Sequence, residues 1–193
     1  MTPAPARILH GIPPELAPAA AALYWRHFGA QIQPLPTGPR QGLALVRALM
    51  RPDHALLALS PSGRPVGIAG LRDSRGGLLA PDAAGFLGVW GPRRGLLRHL
   101  LTGLYRPGAA TADMILDGVA VAAPWRRRGL ARALVAAAAA RASAHGHEAL
   151  LAEVAAGNGV ALAAWQAMGF RPVARQRLGW PWSAPAVVLR LAL

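Results

Sequence analysis

The sequence predicts an α/β (α+β) protein of one domain, and three features carry this prediction. Residues 114–121 form a short apolar run, typical of a strand covered on both faces, and a basic loop and an alanine-rich helix follow it. Residues 54–59 and 65–71 are two apolar runs separated by a turn, which predicts a β-hairpin. Residues 171–177 and 186–193 indicate two more strands after the last helix. A length of 193 residues suits one domain with a sizeable core.

The remaining elements are predicted from helix signals between these strands. Pro13, Pro14 and Glu15 suit a helix start, because proline and an acid are favoured in the first turn. The apolar residues within 83–104 lie at helical spacing, which favours packing against the core over a lid on a substrate pocket. The predicted helices are residues 13–29, 40–50, 93–104, 130–145 and 160–168, and Asn158 is a favourable N-cap for the last of them. The other predicted strands are residues 6–12 and 148–155.

The composition excludes several classes of protein. The chain has no cysteine, which rules out a disulfide framework, a cysteine nucleophile and a thiolate metal site. Its net charge is +13, but the arginines form no run of five or more, so a nucleic-acid-binding tail is not indicated. No apolar run reaches the roughly 18 residues of a membrane span, and residues 1–7 lack the pattern of a signal peptide. We therefore expect a cytoplasmic protein without a membrane partner, and a homodimer is one possible assembly.

The turn after residues 114–121 combines the features of an anion site. Arg126, Arg127 and Arg128 crowd this turn, and Gly129 allows the backbone to come close to a bound group. A helix then begins, and its unpaired N–H groups point back at the turn. Free amides, a helix N-terminus and arginines in one place predict a phosphate site. The alternative is an ordinary strand–turn–helix connection with solvated arginines.

Two separated motifs resemble those of a known family. Residues 126–131, Arg-Arg-Arg-Gly-Leu-Ala, resemble the Arg/Gln-x-x-Gly-x-Gly/Ala motif of the GCN5-related N-acetyltransferases (GNAT). Asn158, followed by Trp165 and by Met168-Gly169-Phe170, resembles the Asn…Ala-x-x-Tyr-x-x-x-Gly-Phe segment of the same family. The two motifs stand in the family's order and at its spacing, so the chain is identified as a member of that family.

The resemblance implies a fold and a division of the chain. The implied fold is a mixed, mostly antiparallel sheet of about six or seven strands, splayed at its centre, with helices on both faces. Residues 112–193 would form the cofactor-binding half, residues 54–111 a hairpin with a helical insertion, and residues 1–50 the helices that shape the acceptor site. The implied activity is direct transfer of an acetyl group from acetyl-CoA to an amine of a small molecule or peptide.

The resemblance also implies where acetyl-CoA binds. In the family the loop amides hold its pyrophosphate, and the strand backbone around Val119 and Val121 pairs with the pantetheine arm. No metal is expected, because the histidines lack metal-ligand spacing. The implied cofactor-binding residues are Val119, Ala120, Val121, Arg126, Arg127, Arg128, Gly129, Leu130, Ala131, Arg132, Asn158 and Trp165.

Asp117 is the leading candidate for the catalytic base. It lies inside an apolar strand, where a carboxylate is partly desolvated and its pKa rises toward a useful range. Strict alternation predicts that Asp117 shares a face with Ile115, Val119 and Val121. A structural aspartate bonded to nearby backbone is the alternative. Weaker candidates for the base are Asp113, Glu153, His10 and His27.

The catalytic acid is the point at which the sequence departs from the family pattern, because Trp165 stands where the family has a tyrosine. An indole N–H donates a hydrogen bond but does not give up its proton near pH 7. Tyr24 and Tyr105 are the chain's two tyrosines and therefore the candidates for the acid. The missing tyrosine leaves a second hypothesis, a non-catalytic acyl-CoA-binding regulatory module. The charge of +13 leaves a third, a nucleic-acid-associated basic protein.

Overall fold

The computed structural model describes residues 7–108 and 111–193, so the expectations for residues 1–6 lie outside the described residues. Seven strands form one sheet in the order β1-β2-β3-β4-β5-β7-β6. Of the described strands, only β4 and β5 pair in parallel, which confirms the predicted mixed, mostly antiparallel sheet. The strands are β1 (Arg7–His10), β2 (Ala55–Leu59), β3 (Pro65–Arg72), β4 (Met114–Val121), β5 (Ala149–Ala155), β6 (Arg171–Gln176) and β7 (Ala186–Ala192).

Helices cover both faces of the sheet, as predicted. One face, here called the α1 face, carries the first two helices and includes Leu57, Ile68 and Ala120 in its core. The opposite face, here called the α4 face, carries the long alanine-rich helix on a core that includes Leu116 and Leu134. In the described part of the chain, no helix has the length and hydropathy needed to cross a membrane. The helices are α1 (Ala17–Ile32), α2 (Pro39–Leu49), α3 (Ala83–Leu101), α4 (Leu130–Ala144) and α5 (Gly159–Gln166).

A bulge in β4 overturns the predicted facing of Asp117. Ala69 of β3 pairs with Val119 and Leu71 pairs with Leu116, so Gly70 alone lies opposite both Asp117 and Gly118. The extra residue resets the alternation of side chains. Val119 and Val121 pack against the α4-face core, as Leu116 does. Asp117 projects to the α1 face, so the prediction that it shares a face with the two valines is wrong.

Gly118 makes this bulge possible. Its φ of +96° lies in a region that side-chain-bearing residues rarely adopt. The ring of Phe28, on α1, approaches to 2.9 Å of the position that a Cβ would take at Gly118. Both the backbone conformation and the close approach therefore require glycine at this point.

Gly70, opposite the bulge, has no room for a side chain. A Cβ there would come within 2.6 Å of the Asp117 carbonyl oxygen and 3.1 Å of a Leu78 methyl group. We expect Gly70→Ala to lower the free energy of unfolding by about 1–3 kcal/mol, the usual cost of overpacking a close-packed site. Urea unfolding measures this, with Gly88→Ala as control because a Cβ there meets no atom within 4 Å. Equal destabilisation of the two variants would contradict the close approach.

The helix predicted over residues 93–104 begins ten residues earlier, and the apolar side predicted to pack on the core faces solvent in its second half. The carboxylate of Asp82 accepts a hydrogen bond from the Gly85 N–H at 2.7 Å, which caps α3 at its true start. The helix is interrupted at Gly91, just before Pro92. In the second half of α3, Leu96, Leu97 and Leu100 are exposed, so the prediction that this stripe packs against the core is wrong for these three residues. Only Phe86 and Gly95 of α3 are buried.

Candidate active site

The candidate site lies where β4 and β5 separate. Their parallel pairing covers only Met114 to Leu116 on β4, and it ends immediately before the bulge. Beyond that point β4 stays paired with β3 as far as Val121, while β5 stays paired with β7 as far as Ala155. The sheet is therefore forked: β4 and β5 separate after Leu116 and Ala152, the closed end, and are apart at Val121 and Ala155, the open end. The backbone of residues 119–121 on the β5 side of β4 lines this gap. This is the central splay that the sequence predicts.

The basic turn stands at the open end of the fork. Gly129 has φ 79° and ψ −1° and immediately precedes α4. The N–H groups of residues 129–132 lack helical partners, and the first helical bond runs from the Ala133 N–H to the Gly129 carbonyl oxygen at 3.0 Å. Among the residues that the structure describes, no side chain caps the N-terminus of α4. The Leu130 side chain is buried in the α4-face core, so Leu130 can contribute only its backbone N–H group to the turn. A helix N-terminus of this kind attracts an anion such as a phosphate.

The arginines of the turn have different environments. Arg126 donates from Nε to the Val121 carbonyl oxygen at 3.1 Å, which ties the turn to the end of β4. Arg127 has a left-handed φ of 59°, an uncommon conformation for a side-chain-bearing residue. Arg128 lies 5.1 Å from the centroid of the Trp125 ring, in a cation–π contact. Arg126 and Arg128 thus make contacts within the turn, while all three arginines are exposed to solvent.

Arg132 and the predicted residues of α5 lie beside α4. Arg132 donates to the Ala167 carbonyl oxygen at 3.3 Å, which links the start of α4 to the end of α5. The Asn158 side chain accepts a hydrogen bond from the Ala161 N–H at 3.1 Å and caps α5, as expected. Trp165 packs edge-on against Phe170, with ring centroids 4.9 Å apart. Asn158 and Trp165 therefore organise α5 and its contact with the core.

Two carboxylates stand together at the closed end of the fork. Leu116 pairs with Ala152, so the next residues in register are Asp117 and Glu153, one on each strand. Both project to the α1 face, since their neighbours Leu116 and Ala152 lie in the α4-face core. Arg72 of β3 donates from Nη2 to Oε2 of Glu153 at 3.0 Å. Of the two acids, Glu153 is thus the one held by a guanidinium.

Burial makes both carboxylates weaker acids than usual. Burial is the main cause that raises the pKa of Asp117, and the charges of Arg72 and His54 oppose it. Burial also raises the pKa of Glu153, where Arg72 opposes the shift and the Asp117 charge adds to it. A carboxylate with a raised pKa is a better proton acceptor near neutral pH than a solvated one. The pair therefore has the chemistry of a base.

The structure brings both tyrosines to this pair. The Tyr24 hydroxyl lies 3.5 Å from the Asp117 carbonyl oxygen, and burial followed by the Asp117 charge raises the pKa of Tyr24 above its ordinary value. Burial, then the charges of Asp117 and Glu153, raises the pKa of Tyr105. Both phenols therefore keep their protons at neutral pH and can donate hydrogen bonds, although each is a weaker acid than a solvated phenol.

Glu153 is the weaker candidate that lies beside Asp117, and the other weaker candidates for the base are Asp113, His10 and His27. Asp113 faces Arg190, with Oδ2 and Nε 3.8 Å apart, and His10 is exposed on the edge strand β1. Burial, then the charges of Arg126 and Arg26, lowers the pKa of His27. Among the described residues no group of three or more metal-ligating side chains comes together.

Comparison with known proteins decides the family. The model of the acetyltransferase (GNAT) family matches residues 18–170, well over half of the chain. The chain belongs to the acetyltransferase (GNAT) family. This membership assigns acyl transfer to the GNAT chain as its general chemistry. No curated protein sequence matches it.

Solved structures share the fold of this GNAT chain over nearly its whole length. An N-acetyltransferase from Staphylococcus aureus Mu50 has a TM-score of 0.67 and 16% identity, covering 96% of this chain and 100% of that one. A GCN5-related N-acetyltransferase from Kribbella flavida has a TM-score of 0.60 and 19% identity, with coverages of 97% and 98%. The ribosomal-protein-S18-alanine N-acetyltransferase from Escherichia coli has a TM-score of 0.54 and 16% identity, with coverages of 97% and 93%. The TM-scores show a common fold, and at these sequence identities the likeness shows the fold alone.

Sequence reasoning missed two contributors to the site of this GNAT chain. The first is Arg72, which binds Glu153. Its place near the site depends on the register of β3 against β4, in which Arg72 pairs with Ile115, and the sequence alone does not give this register. Trp180, in the β6–β7 loop, donates from Nε1 to the Gln31 carbonyl oxygen at 2.8 Å and packs edge-on against Tyr105. A tryptophan in a loop otherwise rich in proline and glycine was the available signal for the second.

Proposed function

We propose that the chain is an acetyl-CoA-dependent N-acetyltransferase that transfers the acetyl group directly to an amine of a small molecule or peptide. The observation that carries this proposal is the carboxylate pair Asp117 and Glu153 at the closed end of a fork whose open end carries the basic turn. A donor lying along the fork would have its phosphates at the turn and its reacting end at the carboxylates. We also propose a cytoplasmic location for this activity.

We propose that residues 112–193 bind the cofactor. The fit to coenzyme A rests on the uncapped N-terminus of α4, the left-handed Gly129 and the exposed arginines of the turn, which suit a pyrophosphate. The fork-facing backbone from Val119 to Val121 suits an amide-containing arm, which pairs with a strand edge. When bound, acetyl-CoA supplies an activated acyl group as a thioester.

The roles of the site residues follow from their proton chemistry. Asp117 accepts a proton from the acceptor's ammonium group, which leaves a neutral amine able to attack the thioester carbonyl. Tyr105 or Tyr24 donates a proton, or a hydrogen bond, to the departing thiolate. The hydrogen bond from Arg72 favours the ionised form of Glu153 and holds its carboxylate beside Asp117, which suits an approaching ammonium group.

The walls around the carboxylates support an acceptor with an apolar body. Phe28 and Tyr24 of α1 lie with ring centroids 4.7 Å apart beside the β4 bulge. Tyr105 and Trp180 form a second aromatic wall, with centroids 5.1 Å apart. Aromatic surface around a small acidic centre favours an amine carried on an apolar group over a polyamine. We propose that residues 1–50 and the segment before β4 form this acceptor side.

Two measurements on the full chain test the proposal. Acetyl-CoA at about 100 times its Kd is expected to stabilise the fold by about 2.7 kcal/mol, seen as a higher melting temperature. Release of free coenzyme A thiol with a panel of apolar primary amines then tests for turnover. No stabilisation at millimolar acetyl-CoA would end the proposal. Stabilisation without thiol release from any amine would favour the non-catalytic acyl-CoA-binding module instead.

A further inference from the structure

The outer side of α3 carries an apolar surface that the proposed activity does not use. Leu96, Leu97, Leu100 and Leu104, here called the leucine surface, are 48%, 55%, 65% and 45% exposed. Solvent-exposed leucines are ordinary when they are scattered, whereas a contiguous group marks an interaction site. These four lie within nine residues of one helix and the short turn that ends it.

Helical geometry shows that the leucine surface points away from the protein. Positions 96, 97, 100 and 104 fall on one side of a helix with 3.6 residues per turn. Gly95 lies on the opposite side and is buried against the backbone of Phe86 and Leu87, with no room for a Cβ. The helix therefore packs through its small residue and presents its large ones outward, the reverse of a helix that covers a core.

The aromatic residues of the acceptor side extend this surface. Tyr105 follows Leu104 directly and packs edge-on against Trp180. Trp180 in turn stacks on Trp182, with centroids 6.1 Å apart and an interplanar angle of 14°. Trp182 is 64% exposed. Tryptophan and tyrosine beside exposed leucines are typical of a surface that meets both lipid and water.

The charged residues of the chain segment that carries the leucine surface have one sign. Arg93, Arg94 and Arg106 are exposed at its two ends. The sequence has no acidic residue between Asp82 and Asp113. A partner must therefore offer apolar area together with negative charge. A second copy of this chain offers the opposite, since it carries the same arginines and a net charge of +13.

We infer that the leucine surface docks on an anionic lipid bilayer, with its leucines among the acyl chains and its arginines at the lipid phosphates. An exposed amphipathic helix with arginines beside leucines binds a bilayer surface without spanning it. The expectation of no membrane partner rested on the lack of a spanning segment, which surface docking does not need. The inference does not depend on the proposed acetyl transfer, because docking needs neither acetyl-CoA nor an acceptor.

Vesicle co-sedimentation of the full chain tests the inference. We expect binding to vesicles of phosphatidylcholine with phosphatidylglycerol, and at least about tenfold weaker binding to phosphatidylcholine alone. The double variant Leu97→Ser/Leu100→Ser is expected to bind the anionic vesicles at least about tenfold more weakly, because it removes two leucine side chains that binding would bury in the bilayer. Its control is Val173→Ser, which removes an exposed apolar side chain from β6, outside this surface.

A second pair of variants separates local from overall charge. Arg93→Gln/Arg94→Gln is expected to weaken binding about tenfold or more, whereas Arg64→Gln/Arg171→Gln, which removes the same charge elsewhere, leaves it nearly unchanged. Equal losses in both pairs would mean adsorption by net charge and would overturn the inference. So would an absence of vesicle binding. A dimer that dissociates in the leucine variant, without vesicle binding, would assign the surface to a second copy.

Discussion

Asp117→Asn is expected to lower kcat for amine acetylation by about 10²–10⁴-fold, the usual contribution of a positioned general base. The amide cannot accept the proton of the ammonium group. In the native protein kcat/KM should rise with pH as Asp117 ionises, through a pKa held above its ordinary value by burial. That acid limb should disappear in the variant. Thiol release measured across pH tests both expectations.

Stability and a second aspartate supply the controls for Asp117→Asn. Because the folded state raises the pKa of Asp117, it binds more protons than the unfolded chain between the ordinary and raised values. The free energy of unfolding therefore falls as pH rises through that window, and the variant should unfold at no lower temperature at pH 7. Asp113→Asn, at the start of the same strand and facing Arg190, should keep its activity. An unchanged rate in Asp117→Asn would exclude Asp117 as the base.

Gly129→Asp is expected to weaken coenzyme A binding by about 100-fold or more. It places a carboxylate at the N-terminus of α4, where the proposed pyrophosphate would lie, and like charges brought together cost several kcal/mol. It also imposes a side chain on a residue with φ 79°. Isothermal titration with coenzyme A measures the loss.

Gly146→Asp is the matched control for Gly129→Asp. Gly146 has the same φ of 79°, and a Cβ there meets no atom within 4 Å. It lies at the other end of α4, so the control carries the same backbone cost and the same added charge away from the turn. Unchanged affinity in Gly146→Asp with a loss in Gly129→Asp would assign the effect to the anion site. Equal losses would count against a pyrophosphate at the turn.

Local features of the site were readable from the sequence because they are short-range. The cap at Asn158 and the start of α4 after Gly129 depend on residues a few positions apart, and both lie where predicted. The family resemblance implied a mixed, centrally splayed sheet of about six or seven strands, and the structure confirms it with seven described strands. Motif order also carried the family, which the match over residues 18–170 establishes.

Features that depend on strand register or on the packing of distant segments were not readable. The ion pair of Arg72 with Glu153 joins residues 81 positions apart. The outward face of α3 follows from the burial of Gly95, a residue that a hydrophobic pattern does not count. The prediction for the side chain of Asp117 assumed strict alternation along β4, and the extra residue at the Gly118 bulge breaks that alternation. The role of Asp117 in catalysis stays a prediction.

The bulge in β4 has a consequence for how the site is divided along this strand. One extra residue of chain, set against Gly70, separates β4 into two segments that carry different constraints. The segment before the bulge pairs with β5, the bulge itself carries Asp117, and the segment after it is free of β5. On the roles proposed above, the acid and the donor-facing backbone would therefore lie on separate parts of one eight-residue strand.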